Sequence, residues 1–220
     1  MSRVCSVFLI AALSFILIRV AAAQVDPVDL GEVLGNSDFE DDLEPSQWTA
    51  TVKGTGYQLD APVVNPVIVP KNASMPLEAP SGDHFIGVEN PDGENIKGRL
   101  VHDAIAGAFA QGTVFEVTVW ANRGRLNTAS TAAFGNSPSE VTLQFFGWGV
   151  CSVPVINPST DNWSRRPSVT LSKAFTQWAP NGEWASQLMQ FVTPKALAYI
   201  ALAVTGKNHT DDSYVAFDLE

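Results

Sequence analysis

The sequence predicts an all-β protein in which two antiparallel sheets pack face to face as a β-sandwich. Short runs of β-branched and aromatic residues alternate with stretches rich in Pro, Gly, Asn, Ser and Thr. Several of these runs alternate apolar and polar residues with a period of two, whereas helical periodicity is rare. The chain has 220 residues, and neither a repeat nor a long linker divides it. One large domain with its own core is therefore the simplest organisation.

The clearest predicted strand is GTVFEVTVWANR, residues 112–123. Successive side chains of a strand point to opposite faces, so this run presents one apolar face and one mixed face. The apolar face, which is predicted to enter the core, carries Phe115, Val117, Val119 and Ala121, and the other face carries Glu116, Thr118, Trp120 and Asn122.

The run EVTLQFFGWGV, residues 140–150, repeats this alternation. Its predicted core face carries Val141, Leu143, Phe145 and Gly147, and its other face carries Thr142, Gln144, Phe146 and Trp148. Because the second face combines aromatic and polar side chains, it is a candidate for a binding surface.

Further strands are predicted on both sides of this pair. They are DHFIGVEN at residues 83–90, WASQLMQFVTP at 184–194, ALAYIALAVTG at 196–206 and SYVAFDLE at 213–220. Residues 99–112, RLVHDAIAGAFAQG, predict either a short helix or a strand followed by a turn. Five prolines within residues 61–85 predict a loop or an edge segment, because proline donates no backbone hydrogen bond.

The first 23 residues predict a cleaved signal peptide. Arg3 precedes an apolar run over residues 4–18, and Ala21–Ala23 supplies the small residues of a cleavage site. A transmembrane anchor is the alternative, but the apolar run is shorter than the roughly 20 residues that span a bilayer. The sequence thus predicts a signal peptide (1–23), an N-terminal extension (24–31) and one domain (32–220). It also predicts a secreted, extracellular or periplasmic location.

Charge and cysteine content narrow the range of partners. The formal net charge is −10, so a nucleic-acid partner is not expected, because little positive charge is available to neutralise phosphates. Cys151 is the only cysteine that remains after cleavage, so no intramolecular disulfide can form. A lone thiol of this kind is usually a small buried apolar group rather than a nucleophile.

The order of several motifs resembles that of galactose-binding-like jelly-roll domains. The opening LGNSDFEDDLEPSQWT (34–49) is similar to their N-G-(S/D)-F-E … W entry, and GTVFEVTVWA (112–121) to their central strand. WASQLMQFVTP, YIALAVTG and the closing YVAFDL follow in the family's order. The family includes carbohydrate-binding modules of families four, nine and twenty-two and many exported bacterial domains. The resemblance spans residues 32–220 and implies a jelly-roll sandwich that binds a ligand.

The resemblance also implies a structural calcium. In such domains the Glu of the first Phe-Glu pair and an Asp of the last strand meet and hold the ion, and these positions are Glu40 and Asp218 here. Calcium accepts six to eight oxygen ligands in irregular geometry, so two carboxylates with carbonyls and water would suffice. The alternative is that both are surface acids at strand ends. A helix cap at residues 34–42 is not expected, because Pro45 and a β-prone run follow.

The two alternating strands predict a binding platform if they are neighbours. Trp120, Asn122 and Arg123 would then lie beside Gln144, Phe146 and Trp148, giving aromatic faces with a polar fringe, as carbohydrate recognition requires. The alternative is that loops cover this face and that the aromatic side chains pack beneath them.

The sequence therefore predicts an exported, non-catalytic module that binds a polysaccharide or glycan. The alternative from a different class is a structural or adhesive domain that binds protein partners. An enzyme is a weaker hypothesis. The three His residues form no metal-binding pattern, and no nucleophile or phosphate-binding motif is present. Within that class, a polysaccharide lyase or a glycosidase would suit a jelly roll best.

Overall fold

A computed structural model of the chain describes residues 26–35, 37, 39, 47–51, 80, 85–90, 96–125, 139–150, 152–180, 182–208 and 213–220. Among them lies one short helix, α1 (Leu30–Val33). The strands are β1 (Val28–Asp29), β2 (Trp48–Ala50), β3 (Ile86–Asn90), β4 (Ile96–His102), β5 (Ile105–Phe109), β6 (Val114–Arg125), β7 (Glu140–Trp148), β8 (Ile156–Asn157), β9 (Asn162–Trp163), β10 (Val169–Ala174), β11 (Ala185–Val192), β12 (Leu197–Asn208) and β13 (Ser213–Leu219).

Two larger sheets and one small hairpin organise these strands. In sheet A, β6 pairs with β11 on one side and with β1 and β13 on the other, and β3 extends the sheet beyond β13. In sheet B the order is β10-β7-β12-β4-β2, and β5 pairs with the first part of β12. Strands β8 and β9 form the hairpin. All of these pairs are antiparallel except β1 with β6, so the predicted antiparallel β-sandwich is confirmed.

The core lies between sheets A and B. Phe115 of sheet A packs against Phe145 of sheet B with ring centroids 5.0 Å apart, and Phe191 stacks on Phe145 at 5.6 Å. Each of these side chains is at most 1% exposed. Burial of apolar surface on this scale is the main stabilising contribution to the fold.

The residues that the alternation placed on the core faces of β6 and β7 are buried in the structure. The four residues predicted on the core face of β6 are all at most 1% exposed, and Val141, Leu143 and Phe145 of β7 are fully buried. Val215, Phe217 and Leu219 of β13 also enter this core. The predicted strands at residues 83–90, 184–194, 196–206 and 213–220 correspond to β3, β11, β12 and β13.

Two local predictions need correction or extension. Residues 99–112 form the end of β4 and the whole of β5, so the strand interpretation holds and the helix interpretation is wrong. The single-turn helix α1 was not predicted. Asp29 caps it, because its side chain accepts a hydrogen bond of 2.8 Å from the backbone N–H of Gly31.

Part of the predicted N-terminal extension packs onto the sandwich. Val28 and Asp29 form β1 and align with Phe115 and Glu116 of β6. Leu30 is 1% exposed within the core. The predicted signal peptide, Cys151 and almost all of the proline-rich segment lie outside the described residues. Within the described part of the chain, no helix is long and apolar enough to cross a membrane.

Candidate functional site

The structure divides the predicted platform between the two sheets. Strand β6, with Trp120, Asn122 and Arg123, belongs to sheet A, whereas β7, with Gln144, Phe146 and Trp148, belongs to sheet B. The two strands do not pair, so the six side chains do not form one surface. Ligand binding by either group stays a prediction.

The sheet A group is engaged in packing and internal contacts. The Trp120 indole donates a hydrogen bond of 2.8 Å to the Glu220 carboxylate. Asn122 is fully buried and accepts a hydrogen bond from the Tyr214 hydroxyl at 3.4 Å. Burial raises the pKa of Tyr214 to about 12, because the phenolate would be poorly solvated.

Arg123 contacts an aromatic ring. Its guanidinium carbon lies 4.8 Å from the ring centroid of Trp178, a cation–π distance, and desolvation lowers the pKa of Arg123. Trp178 in turn packs edge-on against the buried Phe175 at 5.0 Å. These contacts correspond to the packing interpretation of this half of the platform.

On sheet B, the hairpin β8–β9 covers the outer face of β7. Trp148 is only 1% exposed, because Trp163 of β9 lies edge-on against it at 4.7 Å. The Trp148 indole donates a hydrogen bond of 2.9 Å to the Arg165 carbonyl. Phe146 also contacts Trp163, at 5.7 Å. A second apolar cluster therefore lies beneath the hairpin, on the side of sheet B away from the main core.

A buried ion pair fastens the hairpin to the sheet. Asp161, in the turn between β8 and β9, accepts hydrogen bonds from Arg99 Nε at 2.9 Å and from the Thr51 hydroxyl at 2.8 Å. The Arg99 and Asp161 side chains are 5% and 1% exposed. Asp161 has a φ of 52°, in the left-handed region that Asp tolerates better than most residues. This conformation aims its carboxylate at the sheet.

Arg99 also organises the neighbouring strands. Its Nη1 donates to Gln144 Oε1 at 2.7 Å and to the Thr205 hydroxyl at 3.0 Å, joining β4, β7 and β12. The Arg99 guanidinium lies 5.9 Å from the Phe146 ring centroid. Among the described residues, Arg99 Nη2 has no hydrogen-bond partner.

These side chains surround a cavity of about 330 Å³ between the hairpin and the outer face of sheet B. Arg99 and Gln144 contribute polar groups from the strands, and Phe146 and Trp163 contribute rings. Asn162 and Arg166 are exposed at its edge. Such a site offers planar hydrogen-bonding groups beside apolar rings, an arrangement that suits a ligand with hydroxyls on one side and C–H groups on the other.

Two of the predicted binding residues, Gln144 and Phe146, thus line the cavity, whereas Trp148 lies beneath the hairpin. The prediction missed Arg99, Asp161, Trp163 and Arg166. The run NPSTDNWSRRP (157–167) held a usable signal, because turn residues there are followed at once by Trp, Asn and Arg side chains.

Of the two residues predicted to hold calcium, only Asp218 lies among the described residues. Asp218 is fully buried on β13, and its Oδ1 accepts a hydrogen bond of 2.8 Å from the backbone N–H of Leu219. Glu40 lies outside the described residues. Its chain neighbour Phe39 contacts Phe217, with ring centroids 6.3 Å apart. Among the described residues, no three or more His, Cys, Asp or Glu side chains form a group that could hold a metal.

Comparison with known proteins gives similarity at the level of solved structures. No protein-family model and no curated protein sequence matches the chain. A family 61 carbohydrate-binding module in complex with β-1,4-galactotriose is 13% identical, with 84% of this chain and 94% of that chain covered and a TM-score of 0.43.

Two further solved structures are similar over more than four-fifths of this chain. A family 4 carbohydrate-binding module is 11% identical, with 81% of this chain and 94% of that chain covered and a TM-score of 0.31. The enzymatically active domain of a tailspike protein from bacteriophage CBA120 is 12% identical, with 85% of this chain and 22% of that chain covered and a TM-score of 0.40.

Proposed function

We propose that the chain is an exported, non-catalytic carbohydrate-binding module whose ligand occupies the cavity on the outer face of sheet B. One observation carries the proposal: rings and planar polar groups converge there on a rigid support. Trp163 and Phe146 offer apolar surface, and Gln144, Asn162 and Arg99 offer the amide and guanidinium groups that bind sugar hydroxyls.

The polar groups are held in place before any ligand arrives. Arg99 spans three strands through its bonds to Gln144 and Thr205, and Asp161 fixes its Nε. A preorganised site loses less conformational entropy on binding, so hydrogen bonds to hydroxyls yield more net affinity. Asn162 and Arg166 line the cavity and are exposed to solvent, so a longer glycan could extend past them.

Binding should be tested by screening the mature protein, in calcium, against soluble glycans and insoluble polysaccharides. The division of the platform provides matched variants: Trp163→Ala alters the cavity, and Trp120→Ala alters the outer face of sheet A. We expect at least one glycan to bind. The affinity of the protein for it should fall at least tenfold in Trp163→Ala and stay unchanged in Trp120→Ala. Loss of binding in Trp120→Ala alone would move the site to sheet A. A folded sample that binds nothing would refute the proposal.

A structural calcium is proposed at Asp218 and Glu40. A fully buried carboxylate such as Asp218 needs compensating hydrogen bonds or positive charge, and a bound cation supplies the latter. The contact between Phe39 and Phe217 supports the pairing, because Glu40 and Asp218 each follow one of these residues in sequence. The ion would join the first part of the domain to its last strand.

Calcium should therefore raise the melting temperature of the mature protein, and chelation should lower it. Glu40→Gln and Asp218→Asn should each abolish the calcium-dependent part of the shift, whereas Asp103→Asn, an exposed acid elsewhere, should retain it. Identical melting curves with and without chelator would exclude a structural calcium.

A protein-binding role is the second candidate, and strand β11 favours it. Leu188 and Val192 lie on one face of this strand and are each 55% exposed. Within the described part of the chain, β11 pairs only with β6, which leaves its other edge open to another strand. Capture of a partner that is lost in Leu188→Lys, together with a blank glycan screen, would favour this role.

A further inference from the structure

The cavity has a charge opposite to that of the molecule as a whole. Among the described residues, two arginines, Arg99 and Arg166, and one carboxylate, Asp161, line it, so this part of the lining contributes one net positive charge. The chain as a whole has a formal net charge of −10. A local excess of positive charge on an acidic protein marks the place where an anionic group is least repelled.

Within the part of the chain that the structure describes, both arginines have hydrogen-bond donors without a partner. Nε and Nη1 of Arg99 are occupied by Asp161, Gln144 and Thr205, but Nη2 has no partner among the described residues. Arg166 is exposed and forms no hydrogen bond or ion pair with any described residue. Acidic residues outnumber Lys and Arg by 23 to 13, so acidic partners for an arginine are plentiful in this chain.

We infer that the ligand of this cavity is an acidic saccharide, and that Arg166, with Nη2 of Arg99, binds the carboxylate of a uronic acid unit. The inference rests on the proposed carbohydrate-binding function and narrows it to one class of glycan. A guanidinium group presents two parallel N–H donors that match the two oxygens of a carboxylate. The rings of Phe146 and Trp163 and the amide of Gln144 would contact the rest of the sugar.

The alternative is a neutral saccharide, and the geometry gives it less support. In that case Arg99, held by Asp161, Gln144 and Thr205, would donate only to sugar hydroxyls, and Arg166 would have no electrostatic role. The ion pair already cancels the charge of Arg99, so Arg166 supplies the net positive charge at the edge of the cavity. Arg166 is therefore the residue that should distinguish acidic from neutral ligands.

Titration calorimetry on the mature protein can separate these cases. The probes are oligosaccharides of galacturonic, glucuronic and mannuronic acid, each paired with its carboxyl-reduced neutral counterpart. We expect at least one acidic oligosaccharide to bind ten times or more tightly than its reduced partner. Arg166→Gln should weaken that binding about tenfold, the usual effect of one lost charge-assisted hydrogen bond, and should remove the preference.

The neighbouring arginine supplies a matched control. Arg165 is exposed like Arg166 but is not among the described residues that line the cavity, and its backbone carbonyl accepts the hydrogen bond from Trp148. Arg165→Gln should therefore bind like the parent protein. Equal loss in both variants would indicate a general charge effect and overturn the inference.

The outcomes also separate this inference from the proposed function. If a reduced, neutral oligosaccharide binds as tightly as its acidic partner, carbohydrate binding stands and the acidic class is wrong. Binding of sulfated but not uronic oligosaccharides would likewise overturn the carboxylate assignment. If no saccharide of either kind binds to a folded sample, both proposals fail together.

Discussion

The ion pair between Arg99 and Asp161 should contribute strongly to stability because both side chains are buried. Both side chains are nearly inaccessible, and the pair connects sheet B to the hairpin β8–β9. In such surroundings the desolvation cost is already incurred, so removing one partner leaves the other charge buried and uncompensated.

Arg99→Met should therefore destabilise the fold by about 3–5 kcal/mol, because the Asp161 carboxylate would lose its buried cation. Urea denaturation would measure the change. Lys207→Met is the matched control in the same sheet: its ion pair with Glu140 spans 2.8 Å, but the two side chains are 31% and 50% exposed. That variant should cost less than about 1 kcal/mol. Equal losses in the two variants would show that burial does not decide the effect.

His102 provides a pH-dependent contribution at the same scale. Burial lowers its pKa, while the carbonyls of Asp103 and Gly35, at 2.7 and 3.3 Å from its ring nitrogens, and the charge of Asp103 act in the opposite direction. Burial prevails, so the folded protein binds the imidazole proton less readily than the unfolded chain does. The stability due to neutral His102 is then present above the ordinary pKa of about 6.5 and is lost as the pH falls below it.

We expect the free energy of unfolding to fall more steeply between pH 7.5 and pH 5.5 in the parent protein than in His102→Gln. Carboxylates titrate in both proteins, so the difference between the two slopes isolates His102. Urea titrations at the two pH values would measure it. Parallel slopes would show that His102 keeps its ordinary pKa after folding.

At the scale of single elements, the sequence predicted the strands well and their partners poorly. Alternation along β6 and β7 correctly predicted which residues enter the core, because facing direction is a local property of a strand. Pairing is not local: Trp120 of β6 aligns with Asp218, and β6 and β7, which would have to be neighbours to form the predicted platform, lie in different sheets.

The cavity was harder to predict for the same reason. Arg99 and Asp161 are 62 positions apart, and Asp161 lies in a turn where its backbone adopts a positive φ. Phe146 and Trp148 were placed on the correct face of β7, but the hairpin that covers Trp148 comes from residues 156–163. Periodicity within β7 contains no information about that cover.

A substitution at Gly147 would test how tightly β7 packs against β12. It lies on the core face of β7, and a Cβ built there would be 2.5 Å from one methyl carbon of Leu197 and 3.0 Å from the other. Gly147→Ala should therefore cost about 1–3 kcal/mol, because Leu197 is 4% exposed and has little room to move. A thermal melt would show the loss.

Gly149→Ala is the control for that substitution. Its Cβ would meet only the Ala196 carbonyl oxygen, at an ordinary 3.6 Å, so the effect should stay within about 0.5 kcal/mol. A melting temperature that is unchanged in Gly147→Ala would show that Leu197 can repack without strain.

At the scale of the whole molecule, the export proposal can be checked directly. Residues 1–23 have the composition of a signal peptide, and Gln24 follows the run of small residues. When the full chain is produced in a secreting host, we expect the protein outside the cytoplasm to begin near Gln24 by N-terminal sequencing. A product that keeps residues 1–23 and stays with the membrane fraction would refute cleavage.

The placement of β1 and β13 has a consequence for engineering. Both strands lie on the same side of β6, and Gly31 approaches the carbonyl carbon of Glu220 so closely that a Cβ there would be only 2.7 Å away. A short peptide could therefore join these regions in a circularly permuted chain that opens elsewhere. The cavity lies on the outer face of the opposite sheet, so fusions made through either region would leave it uncovered. The protein could thus be immobilised or coupled to a reporter without blocking its candidate site.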